Sequence, residues 1–273
     1  SISGKLANGD YAILTGRGGG HKPPEEPYGI SLLNANNGKR IWDAEIINYQ
    51  AVQNAHWNKE SAMTFVGKEH RMFDIKTGRQ KRAVSLTDDV TICRFENGKH
   101  VTRENQRMAK AKKAITYMTN LLIGDYHYFR SFSDFMIGRV NIRTNKVEYL
   151  QVPAQVIRKA GKPDLTNWQK ALPNDMRNAT GFRATQDKRN AGNGWGHVSA
   201  ASPIVVGEKI YFPTMTGMVY VLRWNAEALD EKALLSISDL GPVGETWSLS
   251  SLSYANGRIY ARTLKELICI REK

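Results

Sequence analysis

The sequence predicts an all-β repeat fold, and three observations carry that expectation. A strand-and-turn phrase recurs along the chain, a second phrase precedes most of its copies, and the composition is that of a folded globular domain. The first phrase runs Leu33-Asn34-Ala35-Asn36-Asn37-Gly38-Lys39, and aligns with Phe73-Asp74-Ile75-Lys76-Thr77-Gly78-Arg79 and Val140-Asn141-Ile142-Arg143-Thr144-Asn145-Lys146. Looser copies follow at Tyr220-Val221-Leu222-Arg223-Trp224-Asn225 and Leu267-Ile268-Cys269-Ile270-Arg271. The second phrase is Asn8-Gly9-Asp10-Tyr11, Gly124-Asp125-Tyr126, Gly207-Glu208-Lys209-Ile210-Tyr211 and Asn256-Gly257-Arg258-Ile259-Tyr260. With 273 residues, 41% hydrophobic and 24% charged, the chain is long enough to bury a core as one domain spanning residues 1–273.

Each element has a local reason. In the first phrase, alternating apolar residues face a core, and then Asn or Asp and Gly accept the left-handed backbone that a tight reversal needs. In the second, a turn leads into a strand that carries an aromatic residue. A unit therefore reads strand, turn, strand, turn, strand, the meander from which β-propeller blades are built. Between Asn36, Lys76, Arg143, Arg223 and Arg271 the separations are 40, 67, 80 and 48 residues. A blade needs roughly 40 to 50. The two long intervals thus hold insertions, at about 96–116 and 151–196, and about five units are recognisable. Within them, residues 103–115 have helix-compatible composition, and residues 164–172 form a short helix ending before Pro173.

The net charge of +13 is concentrated in the same two insertions. From 96 to 113 six basic residues stand against two acidic ones, and from 152 to 194 eight stand against three. Lys110, Lys112, Lys113, Lys188 and Arg189 are the residues expected to meet an anionic surface. Nucleic acid is not favoured as the partner, since the lysines are scattered and no aromatic readers are interleaved with them. No stretch approaches the roughly 18 apolar residues of a membrane-spanning helix.

The phrase from Leu33 through Gly38-Lys39-Arg40-Ile41-Trp42 resembles the repeat of the pyrroloquinoline-quinone (PQQ)-like β-propellers, the quinoprotein alcohol dehydrogenase-like family. The resemblance covers nearly the whole chain outside the insertions. It implies that Trp42 packs between neighbouring blades and that the protein is periplasmic or extracellular. Members often close with eight blades, so the resemblance leaves two forms open: a five-bladed ring, or the C-terminal part of a larger propeller, which the start at Ser1 favours. Catalytic members share a vicinal cysteine pair, a calcium site of Glu, Asn and Asp, and an aspartate near the quinone. Here the only cysteines are Cys93 and Cys269, both in apolar contexts that suit small buried hydrophobes.

Ligand-binding candidates are Trp195, His197 and Trp247, which precede the first strands of two units, together with His127 and Arg130, which flank Tyr128 and Phe129. Aromatic and imidazole groups there suit a sugar ring or an acidic peptide by stacking and hydrogen bonding. Packing of the tryptophans between blades, with His197 capping a strand end, is the favoured account over a ligand site. No Gly-x-Ser-x-Gly elbow, Cys-x-x-Cys pair or His-x-x-x-His spacing occurs, so neither catalytic residues nor a protein metal site is expected. Two readings of function follow. The first is a non-catalytic binding or scaffold propeller for a protein or glycan partner, anionic in character and needing no cofactor. The alternative is part of a PQQ-dependent dehydrogenase or sugar-active enzyme, with PQQ and calcium, whose site is completed by absent blades.

Overall fold

The computed structural model describes residues 2–17, 28–46, 55–108, 116, 120–131, 135–169, 176–178, 180–183, 201–242 and 244–271, and every regular element among them is a β-strand. The chain divides into two units, Ser1–Asp89 with Arg107–Tyr117, and Val90–Gln106 with Met118–Lys273.

The first unit holds two four-stranded antiparallel meanders. One consists of β1 (Ile2–Lys5), β2 (Tyr11–Arg17), β3 (Gly29–Asn34) and β4 (Arg40–Glu45), and the other of β5 (His56–Trp57), β6 (Ser61–Val66), β7 (Glu69–Asp74) and β8 (Gln80–Ser85). Leu14, Ile30, Leu32 and Trp42 of the first sheet share a core with Ala62, Phe73 and Ile75 of the second. Trp42 is the tie. Its indole N–H donates to the Ile75 carbonyl at 2.7 Å, and its ring lies so close to Gly78 that a Cβ there would stand 2.7 Å away. The inter-sheet role implied for this tryptophan is what the structure shows.

The second unit begins with a hairpin, β9 (Val90–Glu96) and β10 (Lys99–Gln106), that joins the outer edge of a meander made of β11 (Asn120–Ile123), β12 (Tyr126–Arg130), β13 (Met136–Asn141) and β14 (Val147–Gln151). β9 pairs with β14 in parallel, Tyr149 opposite Ile92, and six strands result. A two-stranded ribbon follows, β15 (Gln155–Ile157) and β16 (Leu165–Asn167). Then come a four-stranded meander, β17 (Ile204–Val206), β18 (Lys209–Pro213), β19 (Met218–Arg223) and β20 (Leu234–Asp239), and a three-stranded one, β21 (Ser253–Ala255), β22 (Arg258–Arg262) and β23 (Leu267–Arg271). Tyr128, Ile137 and Leu150 pack against Phe212, Tyr220 and Leu222 across two of these sheets.

The aligned phrases fold alike down to single hydrogen bonds. Asn34, Asp74 and Asn141 each use a side-chain oxygen to accept the backbone N–H groups two and three residues on, and each backbone carbonyl accepts the N–H of the fifth residue of the turn. That fifth residue is Gly38, Gly78 or Asn145, with φ of 69°, 70° and 68°. Left-handed backbone is what Gly and Asn supply at least cost.

Three expectations are corrected. Residues 103–106 belong to β10, not to a helix, and 109–115 lie outside the described residues. The cause is Asn97-Gly98, both at positive φ, which is the two-residue turn that best closes a hairpin. Leu165–Asn167 is a strand paired with β15 where a short helix was expected. Three extended residues that exchange ladder hydrogen bonds with Gln155–Ile157 outweigh a weak helical preference over so short a span. Cys93 is buried as expected, but Cys269, on the outer strand β23, is exposed.

Candidate binding surface

In an up-and-down meander of four strands, the first strand starts and the fourth strand ends at the same end of the sheet. The β9–β10 hairpin carries the start of the first basic segment and the β15–β16 ribbon the start of the second, and both lie in the unit that holds the β11–β14 sheet. Side chains then lock them together. The Phe95 ring stacks on Trp168 with centroids 3.9 Å apart and planes 5° from parallel, and His100 meets both rings edge-on, at 5.4 Å and 5.3 Å. Gln151, the last residue of β14, holds the hairpin by accepting the Phe95 N–H at its side-chain oxygen and contacting the His100 ring through its carbonyl. Arg158 fastens the ribbon to β20 by an ion pair with Asp239 and a bond to the Ile237 carbonyl.

Around this aromatic clasp the hairpin carries Lys99 and Arg103, and the ribbon carries Lys159 and Lys162, all exposed. Arg103 makes a two-pronged pair with Glu96, which holds that carboxyl below its usual range. The lysines make no ion pair among the described residues. Lys110, Lys112, Lys113, Lys188 and Arg189 lie outside the described residues, as do Trp195 and His197.

The remaining ligand candidates are placed separately. His127 is fully buried and bonds the Asn120 side chain at 3.0 Å. Arg130 is fully buried and donates to the Pro213 carbonyl, and burial brings its guanidinium down to about 10. Both therefore serve the interior of the β11–β20 region. Trp247 is half-buried beside the β18–β19 turn, its neighbour Ser248 donating to the Met215 carbonyl; the Trp247 indole N–H is itself buried without an acceptor among the described residues.

Sequence reasoning missed two features. Phe95, His100 and Trp168 are 73 residues apart at their extremes, and nothing in their spacing marks a cluster. A cleft of about 890 Å³ opens between the β17–β20 and β21–β23 sheets, lined by Tyr211, Val219, Leu235, Tyr254, Ile259 and Ile270 among others. The signal that was available for the first was Asn97-Gly98, a hairpin turn at the start of the basic segment. Among the described residues no three His, Cys, Asp or Glu side chains come together as a metal-binding group, and no helix is long and apolar enough to cross a membrane.

No protein-family model matches the chain, and no curated protein does. Among the solved structures that are similar at a distance are the following two. BamB from Moraxella catarrhalis is 14% identical, with 98% of this chain and 80% of that one covered and a TM-score of 0.31. The computationally designed Ika4 protein is 9% identical, with 83% and 95% covered and a TM-score of 0.41. The architecture accordingly rests on the sheets themselves.

Proposed function

We propose that the protein is a non-catalytic binding module of propeller-like construction, which engages an anionic protein or glycan on the surface where its two cationic insertions meet. One observation carries this reading: the Phe95–Trp168 stack and the His100–Gln151 contact hold two basic segments, far apart in sequence, on one end of one sheet. Charges fixed side by side act on a single partner, and their attraction is screened by salt over about 10 Å at 0.1 M. The resemblance of the repeat adds a periplasmic or extracellular setting.

The test is retention on immobilised heparin and binding of poly-L-glutamate across a salt gradient. Replacing Lys99, Lys159 and Lys162 with Ser, and separately Lys110, Lys112, Lys113, Lys188 and Arg189, should each lower retention and weaken binding about tenfold at low salt, with the melting temperature unchanged. Undiminished binding, or collapse of the fold, would refute the reading. Trp168→Ala should weaken binding although it removes no charge, because it frees the ribbon from the hairpin.

A further inference from the structure

Asn178-Ala179-Thr180 is the one place in the 273 residues where Asn is followed two residues later by Ser or Thr. With any residue but Pro between them, that triplet is the acceptor signal for N-linked glycosylation. The signal is short, so its place in the fold decides whether it can act. Asn34, Asn97, Asn141, Asn145 and Asn256 close turns between paired strands, and none of them has Ser or Thr in that position. Asn178 lies instead between β16 and β17, in the second basic insertion and outside every strand.

Its turn is anchored at the base. Met176 is buried, Arg177 and Arg183 face each other as an isolated antiparallel bridge, and the Asn178 N–H donates to the Phe182 carbonyl at 3.0 Å. Above the base, Thr180, Gly181 and Phe182 stand in solvent, Phe182 at 66%, and a Cβ on Gly181 would meet nothing within 4 Å. A glycan is bulky and strongly hydrated, so a folded chain carries one only on a surface turn where no packed neighbour has to make room. The carboxamide of Asn178 is itself divided between two tasks. Its oxygen accepts the Thr180 N–H at 3.0 Å, the Thr180 hydroxyl at 2.8 Å and the Phe182 N–H at 2.9 Å, which holds the turn. With backbone N–H donors converging on that atom, it is the acceptor oxygen and not the nitrogen. The nitrogen, Nδ2, donates to no group among the described residues, and the side chain is half-exposed. The atom that takes a sugar is therefore not an atom that the turn uses.

We propose that Asn178 is the acceptor of an N-linked glycan when the chain is exported, which rests on the periplasmic or extracellular setting proposed above and not on the anionic partner. The donor is an oligosaccharide carried on a polyprenyl diphosphate. Nδ2 bonds to the anomeric carbon of the first sugar, and the bond from that carbon to the diphosphate oxygen breaks. The polyprenyl diphosphate leaves with the electron pair, and Nδ2 gives up one proton.

The test directs the intact chain through a eukaryotic secretory pathway behind a removable signal peptide, and weighs the secreted protein and its peptides. A single glycan is expected on the peptide that contains Asn178, released by peptide-N-glycosidase with aspartate left at that position. Thr180→Ala and Asn178→Gln should each abolish it, whereas Thr180→Ser, which keeps the hydroxyl, should retain it, all with an unchanged circular dichroism spectrum. A secreted parent chain without the glycan, or a glycan that survives Thr180→Ala, would overturn the proposal. Heparin and poly-L-glutamate binding, measured on the deglycosylated protein, tests the basic surface separately, so the two readings fail independently.

Discussion

His70 on β7 illustrates how burial fixes the state of a single side chain. It is fully enclosed, Phe65 meets its ring at 5.1 Å, and loss of solvent together with the charges of Arg82 and His56 lowers its pKa from 6.5 to about 3. The folded protein keeps the ring neutral where the unfolded chain takes up a proton. Stability is therefore complete above pH 6.5 and falls as the pH drops toward 3, by at most about 1.4 kcal/mol per pH unit. Melting temperatures between pH 7 and about 4.5 should show this slope, and His70→Gln should flatten it. A second enclosed group is Arg139, which pairs with Glu148 at 2.7 Å, both nearly without exposure, and donates to the Ala226 and Glu227 carbonyls while lying over the Tyr126 ring. Arg139→Met leaves Glu148 buried with Lys146 at 3.4 Å and the Leu229 N–H at 3.5 Å, and should cost about 3 kcal/mol or more in urea unfolding. The double variant with Glu148→Leu should recover most of that loss.

Among the elements, the tie between the first two sheets gives a controlled comparison. Gly38 and Gly78 occupy the same turn position at nearly the same φ, but a Cβ on Gly38 meets nothing within 4 Å while one on Gly78 runs into Trp42. Gly38→Ala should cost about 1 kcal/mol for the left-handed backbone alone, and Gly78→Ala roughly 1–3 kcal/mol more for the overpacking. The difference between the two, read from chemical denaturation, measures the fit of the tryptophan; equal costs would mean that the ring moves aside freely. These turns were legible in the sequence because Asn or Asp followed by Gly encodes its own local hydrogen bonds. The helix expected over 103–115 failed over 103–106 for the converse reason. Composition was weighed there, and the Asn97-Gly98 turn just upstream, which dictates a hairpin, was not.

At the scale of the whole molecule, the charge of +13 and the strand content make two expectations. Far-UV circular dichroism should be strand-dominated, and a helix content near one third, the average for globular domains, would contradict the fold. Retention on a cation exchanger should fall steeply between low and physiological salt, as screening shortens the reach of the insertions. A protein that held its retention at high salt would be binding through contacts other than charge.

The sequence by itself determined the repeat, the strand class, the turns and the two clusters of positive charge, because each is written in residues adjacent along the chain. Only the tertiary structure decided that Phe95 stacks on Trp168, that His127 and Arg130 are enclosed, and that a cleft opens between the β17–β20 and β21–β23 sheets. Those outcomes depend on which sheet faces pack and which strands find a partner, and such choices are made by contacts between residues far apart in sequence, where local spacing carries no signal.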